Sequence, residues 1–115
     1  MKKERTCKMF IEDIIVSINK IEEYIKDFSY EKFNSNEMVV DAVIRNFEII
    51  GEAVNNIPKE IHDKDNNIPW KEMKGLRNMV LHEYFGIDKS IIWEIANKDL
   101  AEVKPKIKLL LKSLK

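Results

Sequence analysis

The sequence predicts an all-α fold, a bundle of four to five helices. Three observations carry this. Only three glycines and three prolines occur in 115 residues. No stretch sustains the alternation of apolar and polar residues that a half-buried strand needs. Instead, apolar residues recur three and four positions apart over long segments, the period of a helix with one buried face. A composition 44% hydrophobic and 35% charged is that of a globular chain, long enough for one domain, 1–115, around a single core.

The first helix is expected over about six turns, with Cys7, Phe10, Ile11, Ile14, Ile18, Ile21, Ile25 and Phe28 on one stripe. Ser29 and Ser35 or Asn36 are cap candidates around a short helical piece. A second long helix should run from about Asn36 to Asn56, burying Val39, Val43, Phe47, Ile50, Val54 and Ile57. Its opposite face carries Asp41, Arg45, Glu48 and Glu52. A connector containing Pro58 and Pro69 follows, with room for one helical turn. Trp70 then starts a third helix that Gly86 closes, and Asp88 caps a final helix. That helix uses Ile91, Ile92, Ile95, Leu100, Val103, Ile107, Leu110 and Leu114 and should kink or split at Pro105, near Lys104.

Twenty basic residues balance twenty acidic ones, so affinity for a polyanion has to come from a local patch. One candidate is the end of the chain, where Lys104, Lys106, Lys108, Lys112 and Lys115 follow the last acid, Glu102. The bland reading is a solvated helix end whose cations suit the dipole. Cys7 is the single cysteine, which excludes an internal disulfide or a cysteine-based zinc site and fits a reducing cytoplasm. Glu12 and Asp13 interrupt the apolar part of the N-terminus, unlike a signal peptide, and no apolar run nears the roughly 20 residues of a membrane helix. A cytoplasmic protein without membrane contact is expected.

The stretch "GLRNMVLHEYFG" at 75–86 holds Arg77, His82 and Tyr84 at the spacing R-x4-H-x-Y. On an α-helical wheel, Trp70, Met73, Val80, Leu81 and Tyr84 fall within about 60° of Arg77. Arg77 is therefore expected in the middle of the apolar arc, where a guanidinium is costly unless paired or placed at an interface. The acidic stripe Asp41, Glu48 and Glu52 is the obvious supplier of a partner. His82 lies about 140° away, beside Asn78, so one straight helix does not aim the two side chains at one spot. Either the helix loosens near Gly86, or long side chains reach around, or a second copy of the chain faces this helix. On spacing alone, a buried ion pair and a histidine capping carbonyls would also account for the pattern.

Other chemistries have less to stand on. His62, Asp63 and Asp65 in "HDKD" and the carboxylates of the second helix match no metal-site spacing, and no glycine-rich phosphate loop exists. Cys7 sits on a buried stripe, a poor place for a nucleophile. No metal and no cofactor is expected.

The element "RNMVLHEY", preceded by "PWKEMKGL" and followed by "FGIDKSIIWEI", together with "DAVIRNFEIIGEAV" upstream, resembles the HEPN superfamily and, within it, the HepT-like toxins. The resemblance runs from the first helix to about residue 111. It implies a HEPN-type up-and-down bundle that forms a homodimer, with the motifs of the two copies meeting at the interface. It implies the toxin of a toxin–antitoxin pair, a metal-independent endoribonuclease. The partner it implies is a minimal nucleotidyltransferase antitoxin of the MntA type, which transfers AMP onto the motif tyrosine. Carried onto this chain, the catalytic pair is Arg77 and His82, the supporting polar residue is Asn78, and the modified tyrosine is Tyr84.

A two-fold interface would explain an arginine on an apolar arc, because the same patch then faces itself. It would also supply two imidazoles with an unperturbed pKa near ~6.5, one to take the 2′-hydroxyl proton of RNA and one to protonate the leaving 5′-oxygen. Arg77 would stabilise charge on the phosphoryl oxygens. The alternative is a HEPN-like module that binds nucleotide, RNA or a nucleotidyltransferase without cutting anything.

Overall fold

The computed structural model describes residues 6–78 and 88–114, all helical or connecting turns with no strand among them. Helix α1 is Cys7–Tyr24, with Thr6 as its N-cap accepting from the Met9 N–H. It stops one turn short of the expected end. Asp27 takes a left-handed φ of 63°, a conformation Asp tolerates better than most residues. The resulting turn is closed by the Phe28 N–H donating to the Ile25 carbonyl at 2.9 Å. Ile25 is still buried and Phe28 still packs on the core, so the apolar stripe outlasts the helix.

Helix α2, Tyr30–Asn34, is capped by Ser29, and α3, Glu37–Asn55, by Asn36, whose side chain accepts from the Val39 N–H. The long helices α1 and α3 pack on one another and hold the centre of the core. Ile11, Ile14, Ile18 and Ile21 meet Val40, Val43, Ile44, Phe47, Ile50 and Val54 there. Each such side chain contributes about 1.5–3 kcal/mol by leaving water. Val40, Ile44 and Ala53 join the buried face beside the expected positions, whereas Val39 is only half-buried.

Helix α4, Lys59–Lys64, fills the connector. Helix α5, Trp70–Lys74, is clipped to it by one indole: Trp70 Nε1 donates to the carbonyls of His62 and Asp65, both at 3.1 Å. The His62 ring stacks on Trp70 with centroids 4.5 Å apart and planes 11° off parallel.

The helix from Trp70 does not continue as α. It tightens into a 3₁₀ turn over Gly75–Asn78. Residues 79–87 lie outside the described residues, and with them His82, Tyr84 and the expected closing Gly86.

Asp88 caps α6, Lys89–Glu94, its Oδ1 accepting from the Ser90 N–H at 2.8 Å. A π turn, Ile95–Asp99, leads into α7, Leu100–Ser113. The expected split near Lys104 is absent: Pro105 lies inside the continuous helix α7. Pro105 and Ala101, whose carbonyl it leaves without a helical donor, are both exposed, so water can take that carbonyl. The departure from α winding sits upstream instead, where the Leu100 N–H donates to the Ile95 carbonyl. A turn closed by an i→i+5 bond winds fewer degrees per residue. That offsets the drift of a four-residue spacing and keeps Ile92, Ala96, Leu100, Val103, Ile107 and Leu110 on the core. Ile91 is left exposed and Ile95 half-buried.

Candidate functional site

The site starts at a glycine. Gly51 in α3 lies against the 3₁₀ turn so closely that a Cβ there would stand 2.7 Å from the Arg77 backbone nitrogen, 2.9 Å from the Arg77 Cβ and 3.0 Å from the Lys74 carbonyl oxygen. Only a residue without a side chain lets the two backbones meet, so Gly51 sets where Arg77 sits. One residue further along α3, Glu52 receives the guanidinium, with Nη2 at 3.1 Å from Oε1.

Arg77 is not in the apolar arc. Its side chain is 43% exposed and that of Glu52 55%. The difference from expectation is a matter of winding. An α wheel advances about 100° per residue, whereas three residues complete a 3₁₀ turn. Trp70, Met73 and Leu76, three apart, form the buried edge, and Arg77 turns outward beside Leu76. A cost for burying the cation therefore does not arise. Of the three carboxylates expected to serve it, Glu52 does. Glu48 is engaged by Arg45 at 2.8 Å, and Asp41 is exposed further back on the same helix.

Arg77 and Asn78 open onto a recess of about 360 Å³ whose other lining residues are Lys71, Lys74 and Gly75. Among the described residues, three cations and no carboxylate line it. A larger cleft of about 450 Å³ lies between this segment and α7, where Glu72, Asp99 and Glu102 stand with Lys106 around Met73, Leu76, Leu100 and Val103. Three carboxylates against one ammonium make that cleft a poor place for phosphate. A phosphodiester fits the first recess, where guanidinium and ammonium donors would form charge-assisted hydrogen bonds.

The remaining candidates disperse. Lys104 pairs with Glu22 at 2.7 Å, and Lys106 donates to the Asn67 carbonyl at 3.1 Å, so two members of the C-terminal lysine run are held within the chain. Cys7 is half-buried, and burial pushes its thiol above the ordinary value, with Lys64 acting weakly in the other direction, which disfavours the thiolate. His62 stacks on Trp70 rather than joining Asp63 and Asp65. Among the described residues no three His, Cys, Asp or Glu side chains are grouped to hold a metal ion. None of the described helices is long and apolar enough to cross a membrane.

Sequence reasoning assigned no role to Gly51, Lys71 or Lys74. For Gly51 a signal was present, since an isolated glycine inside a helical pattern commonly marks close packing. For the lysines there was none.

Residues 14–110 match the family described as ribonuclease HepT-like. A Methanocaldococcus jannaschii protein named "Putative RNase" is 43% identical over 92% of this chain and 97% of its own length. A Caldanaerobacter subterraneus protein of the same name is 38% identical over 96% of this chain and 99% of its own. One from Thermococcus cleftensis, named "Probable ribonuclease HepT", is 38% identical over 95% and 99%. No solved structure matches the chain at a significant level.

Proposed function

Because the chain belongs to the HepT-like ribonuclease family, we propose that it is the toxin of a toxin–antitoxin pair and cuts RNA without a metal ion, using Arg77 and His82. The observation that supports this best is the placement of Arg77. It is half exposed, oriented by Glu52 at 3.1 Å, and opens on a recess lined by cations and Asn78. Such a guanidinium is free to bind an incoming phosphate with its remaining donors.

In the proposed reaction, one imidazole takes the proton of the 2′-hydroxyl, and the 2′-oxygen attacks phosphorus. The 5′-oxygen leaves with a proton from a second, protonated imidazole. The products are a 2′,3′-cyclic phosphate and a 5′-hydroxyl. One His82 cannot fill both roles in a single displacement, which is the chemical reason to propose a homodimer whose two motifs share one cleft. Arg77 stabilises the charge that builds on the non-bridging oxygens, and Asn78 and Tyr84 orient the phosphate. The proposed antitoxin is a nucleotidyltransferase of the MntA type that places AMP on Tyr84, adding negative charge and bulk where RNA phosphate must bind.

The test is cleavage of RNA by the purified protein in excess EDTA. Full activity, cyclic phosphate ends, and loss of cleavage in His82→Ala and in the Tyr84-adenylylated protein are expected. A requirement for a divalent ion would refute the mechanism. A His82→Ala protein that folds and still cuts would remove His82 from the mechanism, and a folded wild-type protein that cuts no RNA would return the chain to the non-catalytic reading.

A further inference from the structure

We propose that Lys71 and Lys74 carry the site along the RNA backbone, so that the recess beside Arg77 takes a second phosphodiester next to the one that is cut. The proposal rests on the ribonuclease reading above and names how that site holds its substrate. Lys71, Lys74, Gly75, Arg77 and Asn78 line the recess of about 360 Å³ with no carboxylate among the described residues, on a chain whose charges balance as a whole. Both lysines are exposed, and neither ammonium group has an ion-pair or hydrogen-bond partner among the described residues.

The winding aligns them. Lys74 ends α5 and Arg77 lies three residues on in the 3₁₀ turn, whose tighter winding brings that spacing towards eclipse, and both side chains line the same recess. Lys71 precedes them by one turn of α5. A Cβ added at Gly75 would meet nothing within 4 Å, so the space between the cations is open.

Lysines are point charges that hold a phosphate without reading a base, and they suit a backbone contact beside a forked arginine. An acidic protein surface would also meet three cations. RNA is favoured because the recess is continuous with Arg77 and Asn78, where the scissile phosphate is placed.

The experiment compares the wild-type protein with the double variant Lys71→Ala/Lys74→Ala. Binding of an uncleavable 2′-O-methyl single-stranded RNA is measured over a range of salt. Two lost phosphate contacts should flatten the slope of log affinity against log salt by about 1.4. With binding compared to 1 M salt, that is a loss of about 25-fold at 0.1 M. Lys71→Arg/Lys74→Arg should restore the slope, and with cleavable RNA the loss should fall on KM rather than on kcat. An unchanged slope and KM would overturn the proposal, as would a variant that binds RNA normally but no longer binds a nucleotidyltransferase partner. Failure of the ribonuclease reading looks different: a wild-type protein that binds the oligonucleotide with the steeper slope yet cuts no RNA.

Discussion

Helix α3 and the segment Trp70–Asn78 each carry an exposed arginine paired with a carboxylate of α3, and the two pairs do different work. Arg45 meets Glu48 one turn along the same helix, with 67% of the arginine side chain exposed. Neighbours at i and i+3 meet on any helix surface, and such a pair contributes a few tenths of a kcal/mol. Arg77 reaches Glu52 across two elements, from a turn seated on Gly51, and beside it lies a recess with no acid among its described lining residues. An ion pair says little by its distance, 2.8 Å against 3.1 Å here. What distinguishes the second arginine is the company of Lys71, Lys74 and Asn78 and the backbone contact that fixes its root.

The largest difference between the two regions should appear on removing each arginine. Arg77→Ala should lower the rate of RNA cleavage at saturating substrate by about 10²–10³-fold, the usual loss when a preorganised donor to a developing anion is deleted. Arg45→Ala should leave that rate within about twofold, as for an exposed helix pair. Both proteins should unfold at nearly the wild-type urea concentration, since both side chains face solvent. Equal kinetic effects would remove the ground for treating Arg77 as special.

A second contrast separates the two glycines at this junction. Gly51→Ala forces a Cβ against backbone atoms of Arg77 and Lys74 that cannot swing aside, and should destabilise by about 1–3 kcal/mol, as overpacking does. It should also lower cleavage, because the turn bearing Arg77 must move. Gly75→Ala places its methyl in open space at a φ of −67°, which any residue adopts, and should stabilise by about 0.4–1 kcal/mol. Urea unfolding of both variants decides this. A neutral Gly51→Ala would mean that α3 does not set the position of the turn.

What the sequence made legible follows the same division. On α1 and α3 the apolar period located the buried faces to within a residue or two; Ser29 and Asp88 cap the helices they were read to cap, and of Ser35 and Asn36 it is Asn36 that caps α3. Long amphipathic helices repeat one rule many times, so single errors average out. The acidic stripe rightly pointed to a partner for Arg77, since charge needs only proximity. The direction of Arg77 was misread because a wheel multiplies its assumed angle at every residue. One change from α to 3₁₀ winding at Gly75 reversed the conclusion about burial. Pro105 does not split its helix because it lies on an exposed face, while the π turn at Ile95–Asp99 has no residue that announces it. Lys71 and Lys74 were invisible because exposed lysines on a short helix are ordinary until the recess they line is known.

The smallest expected effect probes what Glu52 contributes to that recess. Glu52→Gln keeps the shape and removes the charge. Both partners are about half exposed, so screening by water limits the change in stability to under about 1 kcal/mol. The guanidinium then loses the carboxylate that orients it, and kcat should fall by roughly two- to fivefold from looser placement. Glu48→Gln, which frees Arg45 instead, should do nothing measurable to cleavage. If Glu52→Gln raised activity instead, the carboxylate would be a competitor of the RNA phosphate for Arg77. Its pairing in the free protein would then be a brake on the enzyme rather than a support.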